Sequence, residues 1–278
     1  MVTGGARVDE RELDVEGTRV FMRATAGEGL PTVFVHGHPT SSEDWLPFMQ
    51  RLAGPALAPD LPGWGRSQSP SPASFDFTMQ GLGRFFGRWL DAAGVGAYRL
   101  VCHDWGVVSL IAAQSEPARL QSLVVINGVP LLAGYRWHWI ARLAWRRRGI
   151  GELANLTTTR AALRLISRQA TLRPGPMPEE LIESAWRHWP RGTWPQSLAL
   201  YRSADPAALA AAGAGLGEIA CPALVAWGQD DSYLPPAFGR LYAERLPGAE
   251  LIELDGAGHW PWLDRPDLVA TVTRFLDR

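Results

Sequence analysis

The stretch Val101-Cys102-His103-Asp104-Trp105-Gly106 limits most what this chain can become. A β-rich apolar run over 98–102 leads into it and a helical run over 105–115 leads out, so the chain must turn sharply from strand to helix. A turn that tight leaves room only for small residues two places either side of its apex. Gly106 fits, and Cys102 is compact, although glycine would be smaller. The apex residue is Asp104. An aspartate there has two readings: a reactive carboxylate held proud of the backbone, or a cap for the following helix.

The rest of the chain alternates in the same way. Residues 12–16 and 20–25 read as short edge strands, and 32–36 as a buried strand ending on a glycine. Residues 56–59 lead into the turn-rich DLPGWG at 60–65. A helix is expected over 78–93, with Phe85, Phe86, Trp89 and Leu90 on one face, and a strand over 120–127. From 130 to 206 no strand pattern appears. That segment is helical in character, rich in arginine and tryptophan, with a loop at 173–178. Alternation resumes with a strand over 223–227, a helix over 237–246, a strand over 250–254, and a helix over 267–277 behind Pro266. The pattern predicts an α/β fold: a mostly parallel sheet flanked by helices, with residues 1–129 and 207–278 as core and 130–206 as a helical cap. Such an insertion would lie over the carboxyl edge of the sheet, where ligands of open α/β sheets bind.

Composition removes several classes of function. With 46% hydrophobic residues in 278, a large core can be buried. The net charge of −1 gives no reason to expect a nucleic acid or membrane partner. Cys102 and Cys221 are too few and too far apart for a disulfide scaffold or metal site, and no cofactor is expected. The first 17 residues lack the apolar core of a signal peptide. No apolar run approaches the roughly 20 residues that span a bilayer. The expected setting is the cytoplasm, with a small apolar substrate and water as partners. Oligomeric state leaves no mark.

Two further loops sit at predicted strand ends. Trp227-Gly228-Gln229-Asp230-Asp231 offers two acids that could equally be turn residues. Gly256-Ala257-Gly258-His259-Trp260 presents a histidine on a glycine-rich loop. Nucleophile, acid and histidine follow one another in the order of a known hydrolytic triad. The backbone N–H groups of His38, in His36-Gly37-His38-Pro39, and of Trp105 are expected to converge on Asp104 as an oxyanion site.

Taken together, HGHP at 36–39, DLPGWGRS at 60–67, HDWG at 103–106, WGQDD at 227–231 and GAGHW at 256–260 resemble the α/β-hydrolase superfamily. Within it they resemble the aspartate-nucleophile branch of epoxide hydrolases and dehalogenases. The resemblance implies that the acid is Asp231, the last residue of a WGxxD pattern, with Asp230 left to the turn. A carboxylate with an ordinary pKa of about 3.9 is ionised at neutral pH and needs no base to attack carbon. His259 would then activate water against the ester formed on Asp104, oriented by Asp231. An acyl substrate would give a mixed anhydride, so the suitable target is a saturated carbon bearing a leaving group. The implied activity is epoxide hydrolysis; the alternatives are a haloalkane- or fluoroacetate-type dehalogenase, or a non-catalytic ligand receptor.

An opening epoxide wants a proton donor, and a departing halide wants polarised N–H groups. Tyr135 and Tyr201 are the tyrosine candidates in the cap, and Tyr201-Arg202 resembles the second cap tyrosine of epoxide hydrolases. The run Tyr135-Arg136-Trp137-His138-Trp139 supplies His138 and Trp139 as further donor candidates; the alternative is simple packing. Fluoroacetate dehalogenases grip their substrate with arginines where this chain has Trp105 and Val108, which disfavours that substrate. Trp105 matches the halide-binding tryptophan of haloalkane dehalogenases, but their common asparagine is here His38. The run Arg146-Arg147-Arg148 reads as a solvated surface.

Overall fold

A computed structural model describes residues 5–172, 177–189 and 193–278. Its sheet has the order β1-β2-β4-β3-β5-β6-β7-β8, with β1 (Val8–Val15) and β2 (Thr18–Thr25) forming an antiparallel edge hairpin. The remaining strands are β3 (Thr32–Val35), β4 (Ala56–Pro59), β5 (Tyr98–Asp104), β6 (Leu120–Gly128), β7 (Ala223–Gly228) and β8 (Glu250–Leu254), parallel to one another. β1 begins four residues earlier than expected. Its polar sequence hides the alternation, and the strand is held by pairing with β2 and by Arg23–Glu10 across the hairpin at 3.0 Å.

Two cores sandwich the sheet, and strand periodicity sorts residues between them. Val33, Val35, Leu100, Cys102, Leu123 and Val125 face one side, where Phe85, Phe86 and Trp89 of helix α2 pack. Phe34, Val101, Val124 and Ile126 face the other, with Trp45, Phe48 and Trp262. Side chains of this size each gain about 1.5–3 kcal/mol on burial.

The helices follow in order: α1 (Leu46–Met49), α2 (Met79–Ala92), α3 (Ser109–Ser115), α4 (Ile150–Thr157), α5 (Arg160–Ile166), α6 (Glu179–His188), α7 (Thr193–Ser203), α8 (Pro206–Ala212), α9 (Ala237–Arg245), α10 (Pro261–Asp264) and α11 (Asp267–Leu276). Thr78 caps α2 through its side chain. After Asp104 the chain makes a 3-10 turn, Trp105–Val108, before α3 begins, so the expected single helix starts tighter than an α-helix. Between β6 and β7 the described residues form helices and turns, including a π-helical turn at Ala141–Trp145, and no strand. Residues 173–176 of the expected loop lie outside the described residues. No helix of the described residues is long and apolar enough to cross a membrane.

Candidate active site

Asp104 ends β5 with φ +49° and ψ −122°, a backbone geometry that few non-glycine residues adopt. The turn is enforced from both sides. A Cβ on Gly106 would run into the Val35 carbonyl, and a Cβ on Gly37 into the Asp104 carboxylate. Cys102 is buried and its thiol leans towards the Val124 carbonyl at 3.7 Å, so the larger residue is accommodated.

Three loops bring their side chains together around this carboxylate. His259 Nε2 lies 3.4 Å from Asp104 Oδ2, and His259 Nδ1 lies 2.8 Å from Asp231 Oδ2. Asp231 Oδ1 accepts from the N–H groups of Tyr233 (2.8 Å) and Leu234 (3.0 Å). Its Oδ2 also accepts from Asn127 Nδ2 at 2.6 Å, while Asn127 Oδ1 accepts from Gly228 N at 3.0 Å. Asn127 closes β6 with φ +37° and ties its strand end to that of β7; nothing in its sequence setting marks it. Asp230 takes no part, its carboxylate accepting instead from Gly256 N at 3.2 Å. The cap reaches this loop as well: His259 N donates to the Ala170 carbonyl at 2.7 Å.

Burial alone would push the Asp104 carboxyl up; its contact with His259, and then the His38 N–H, hold it down at about 2. Burial would pull His259 down, but Asp231 and Asp104 together raise it above the usual histidine range. Asp231 is held low against burial by the same imidazole and by Asn127. The two carboxylates thus favour the protonated form of the imidazole between them.

Of the two expected oxyanion donors, His38 N reaches Asp104 Oδ1 at 2.8 Å. Among the described residues Trp105 N makes no hydrogen bond to that carboxylate. The His38 ring, whose part the sequence left open, has its tautomer set by its neighbours. Trp64 Nε1, a pure donor, gives its proton to His38 Nδ1 at 3.0 Å, so the ring carries its own proton on Nε2. Burial lowers His38 to about 4, so it is neutral. Trp64 belongs to the DLPGWG loop, which is itself fixed by Ser42 N and Arg66 N donating to Asp60 at 2.7 and 2.8 Å.

A cavity of about 180 Å³ opens over Asp104 and His259. Its apolar wall comes largely from the cap, through Ile140, Ala154, Leu163, Ile166 and Met177. His38, His138, Tyr201 and Tyr233 are among the polar side chains that line it. Tyr201 packs edge-on against Trp105 (5.1 Å) and His38 (5.8 Å). Burial, and then the charge of Asp104, raise its phenol well above the ordinary value, so it stays protonated. His138 lines the cavity as a neutral ring, lowered by burial to about 4, with Ala141 N donating to its Nδ1 at 3.4 Å. The Trp105 indole N–H is buried without a well-formed hydrogen bond, beside the Tyr201 hydroxyl.

Trp139 is a correction. It is 59% exposed and does not line the cavity, because it occupies the outer side of its helical turn while Ile140 and Ala144 occupy the inner. Tyr135 is buried, but its hydroxyl donates to the Tyr233 carbonyl at 3.4 Å and it too is absent from the cavity wall. Trp137 lines the cavity with its N–H already given to the Ala204 carbonyl at 2.8 Å.

Comparison with known proteins agrees with this architecture. Residues 32–272 match the model of the alpha/beta hydrolase family. A haloalkane dehalogenase of Agrobacterium fabrum is 35% identical over 106 residues, 37% of this chain and 34% of that protein. An epoxide hydrolase of Caballeronia sordidicola is 33% identical over 127 residues, 44% of this chain and 37% of that protein. The chain thus spans about a third of the length of these two relatives. The crystal structure of haloalkane dehalogenase DbeA from Bradyrhizobium elkani superposes with a TM-score of 0.81 at 25% identity, covering 98% of both chains.

Proposed function

The chain belongs to the alpha/beta hydrolase family, and we propose that within it the protein is an epoxide hydrolase working through an ester on Asp104. One observation carries this reading: a phenol held protonated, Tyr201, packs against Trp105 beside the Asp104 carboxylate in an apolar cavity.

Asp104 attacks an epoxide carbon, its Oδ–C bond forming as the ring C–O bond breaks. The alkoxide takes the Tyr201 proton. Esterification removes the Asp104 charge, one of the two that keep His259 protonated. His259 can then give up its proton, which restores the Tyr201 phenol, and act as a base on water. Water attacks Cγ of Asp104, and the oxyanion that forms is met by the His38 N–H; such a donor contributes about 2.7–4 kcal/mol in a transition state. Collapse releases a vicinal diol and restores the carboxylate. The cavity volume of about 180 Å³ is slightly larger than the roughly 150 Å³ that admits benzene, which favours a neutral substrate near the size of one substituted aromatic ring.

The test is turnover of a styrene-oxide-type epoxide in ¹⁸O-water. Label is expected in the Asp104 carboxylate after several turnovers, because water enters at Cγ. Diol formation with no label on Asp104 overturns the ester route.

A second reading, hydrolysis of a carbon–halogen bond, is favoured by the unpartnered indole N–H of Trp105 and by the likeness to DbeA along the whole chain. Halide release from 1-haloalkanes, without diol from epoxides, would select it.

A further inference from the structure

The outer surface of the cap is both apolar and basic. Trp139 (59% exposed), Leu143 (45%), Ile150 (47%), Leu153 (61%) and Leu156 (69%) all face outwards. They lie on two packed segments, the turn around Ala141–Trp145 and helix α4. Helical spacing separates the two faces. Ile140 and Ala144 point to the cavity while Trp139 and Leu143 point away; on α4, Ala154 lines the cavity while Leu153 and Leu156 do not. An α4 facing water on that side would carry polar residues there.

Charge complements this face. Between residues 129 and 172 stand eight arginines and one acid, Glu152, although the whole chain carries −1. Glu152 is taken by Arg202 at 2.7 Å. Arg160 and Arg164 pair with Glu179 and Glu183 of α6. Arg136, Arg142, Arg147 and Arg148, which border the apolar residues in sequence, are exposed and make no ion pair among the described residues. Large apolar side chains with long cationic side chains around them match a lipid–water interface bearing negative charge.

We propose that this cap surface docks on an anionic lipid bilayer, with Trp139, Leu143, Ile150, Leu153 and Leu156 in the acyl boundary and the four free arginines at the headgroups. No helix of the described residues is long and apolar enough to span a bilayer, and the contact proposed is a peripheral one. The same helices that would touch lipid wall the cavity from behind. An apolar substrate dissolved in the membrane would therefore have only the cap to pass.

The experiment is co-sedimentation of the full chain with vesicles of phosphatidylcholine alone and of equimolar phosphatidylcholine and phosphatidylglycerol, at low and high salt. Binding is expected to the anionic vesicles only, to weaken with salt, and to fall about tenfold to thirtyfold in Arg147→Ser/Arg148→Ser. Leu153→Asp/Leu156→Asp is expected to abolish it while turnover of a dissolved substrate is unchanged. That turnover reports on the catalytic reading separately, so either can fail alone. Absence of binding to anionic vesicles, or equal binding to both vesicle types unaffected by the arginine change, overturns the proposal. So does a solution dimer, measured by light scattering, that the leucine variant dissociates and that ignores vesicles: the face would then join two copies of the chain.

Discussion

Trp64 donates its indole N–H to His38 Nδ1 at 3.0 Å, which leaves the ring proton of His38 on Nε2, on a ring that lines the cavity together with Asp104. Trp64→Phe keeps the ring and loses the donor. The rate constant of ester formation is expected to fall about fivefold to tenfold, in keeping with the roughly 1 kcal/mol of a neutral hydrogen bond. Stopped-flow measurement of the burst phase checks this; an unaltered burst would show that the orientation of the His38 ring does not bear on ester formation.

Replacing the base should separate the two chemical steps. His259→Gln is expected to alkylate normally and then stall, lowering steady-state turnover by about 10²–10⁴-fold. Intact-protein mass spectrometry should find one substrate equivalent per chain, and peptide mapping should place it on Asp104. A variant that turns over at the normal rate contradicts the mechanism.

Tyr201→Phe distinguishes the two leaving groups. Loss of the phenolic proton should slow epoxide opening by about 10²–10⁴-fold. Departure of halide, a stable anion, should change far less. Equal turnover of an epoxide by wild type and variant would leave the ring with a packing role only.

His259 should also change its proton affinity during the cycle. In the free protein Asp231 and Asp104 hold it above the usual range, up to about 10. Its share of folding stability is therefore complete below about pH 6.5 and lost as pH rises through about 10. In the ester, Asp104 is neutral and its part of that support is gone, leaving that of Asp231. Single-turnover decay of the ester should then rise with pH to a midpoint well below about 10. A midpoint at or above that value would show that esterification does not release the proton.

Asp44 gives a pH effect of opposite origin. It is 1% exposed, accepts from Thr40 Oγ1 at 2.5 Å and from Trp260 Nε1 at 3.4 Å, and leaves Oδ1 without a partner. Burial lifts its carboxyl to about 7. The folded state binds this proton more tightly than the unfolded chain, so stability is fully present below about pH 4 and is lost as pH rises through about 7. Asp44→Asn, which can still accept from Trp260, should unfold at a higher temperature than wild type above neutrality and lose this slope. A lower melting temperature for the variant there would mean the charge is stabilised in a way the geometry does not show.

Much of this site could be read from the chain. The loops bearing Asp104, Asp231 and His259 each follow a β-rich run, and strand ends at one edge of a parallel sheet converge whatever lies between them. The alternation of Val33, Phe34 and Val35, or of Leu123, Val124 and Val125, between two cores is likewise local information. What the chain hides is set by tertiary contact. Neighbours on a helical turn point about 100° apart, so choosing Trp139 over Ile140 for the cavity needs the packing direction of the cap. Asn127 is one polar residue at the end of a β-strand until Asp231, 104 residues away, is folded against it. Asp44 lies in helical turns that no periodic pattern announces. Net charge averages the arginines of the cap against acids elsewhere and so says nothing of how they are distributed.

The hydrogen bond from the His259 amide to the Ala170 carbonyl makes lid and base a single latch. A displacement of the segment that carries Ala170 would act directly on the backbone on which the imidazole is mounted. The aim of the imidazole is thereby tied to the seating of the helical segment over the cavity.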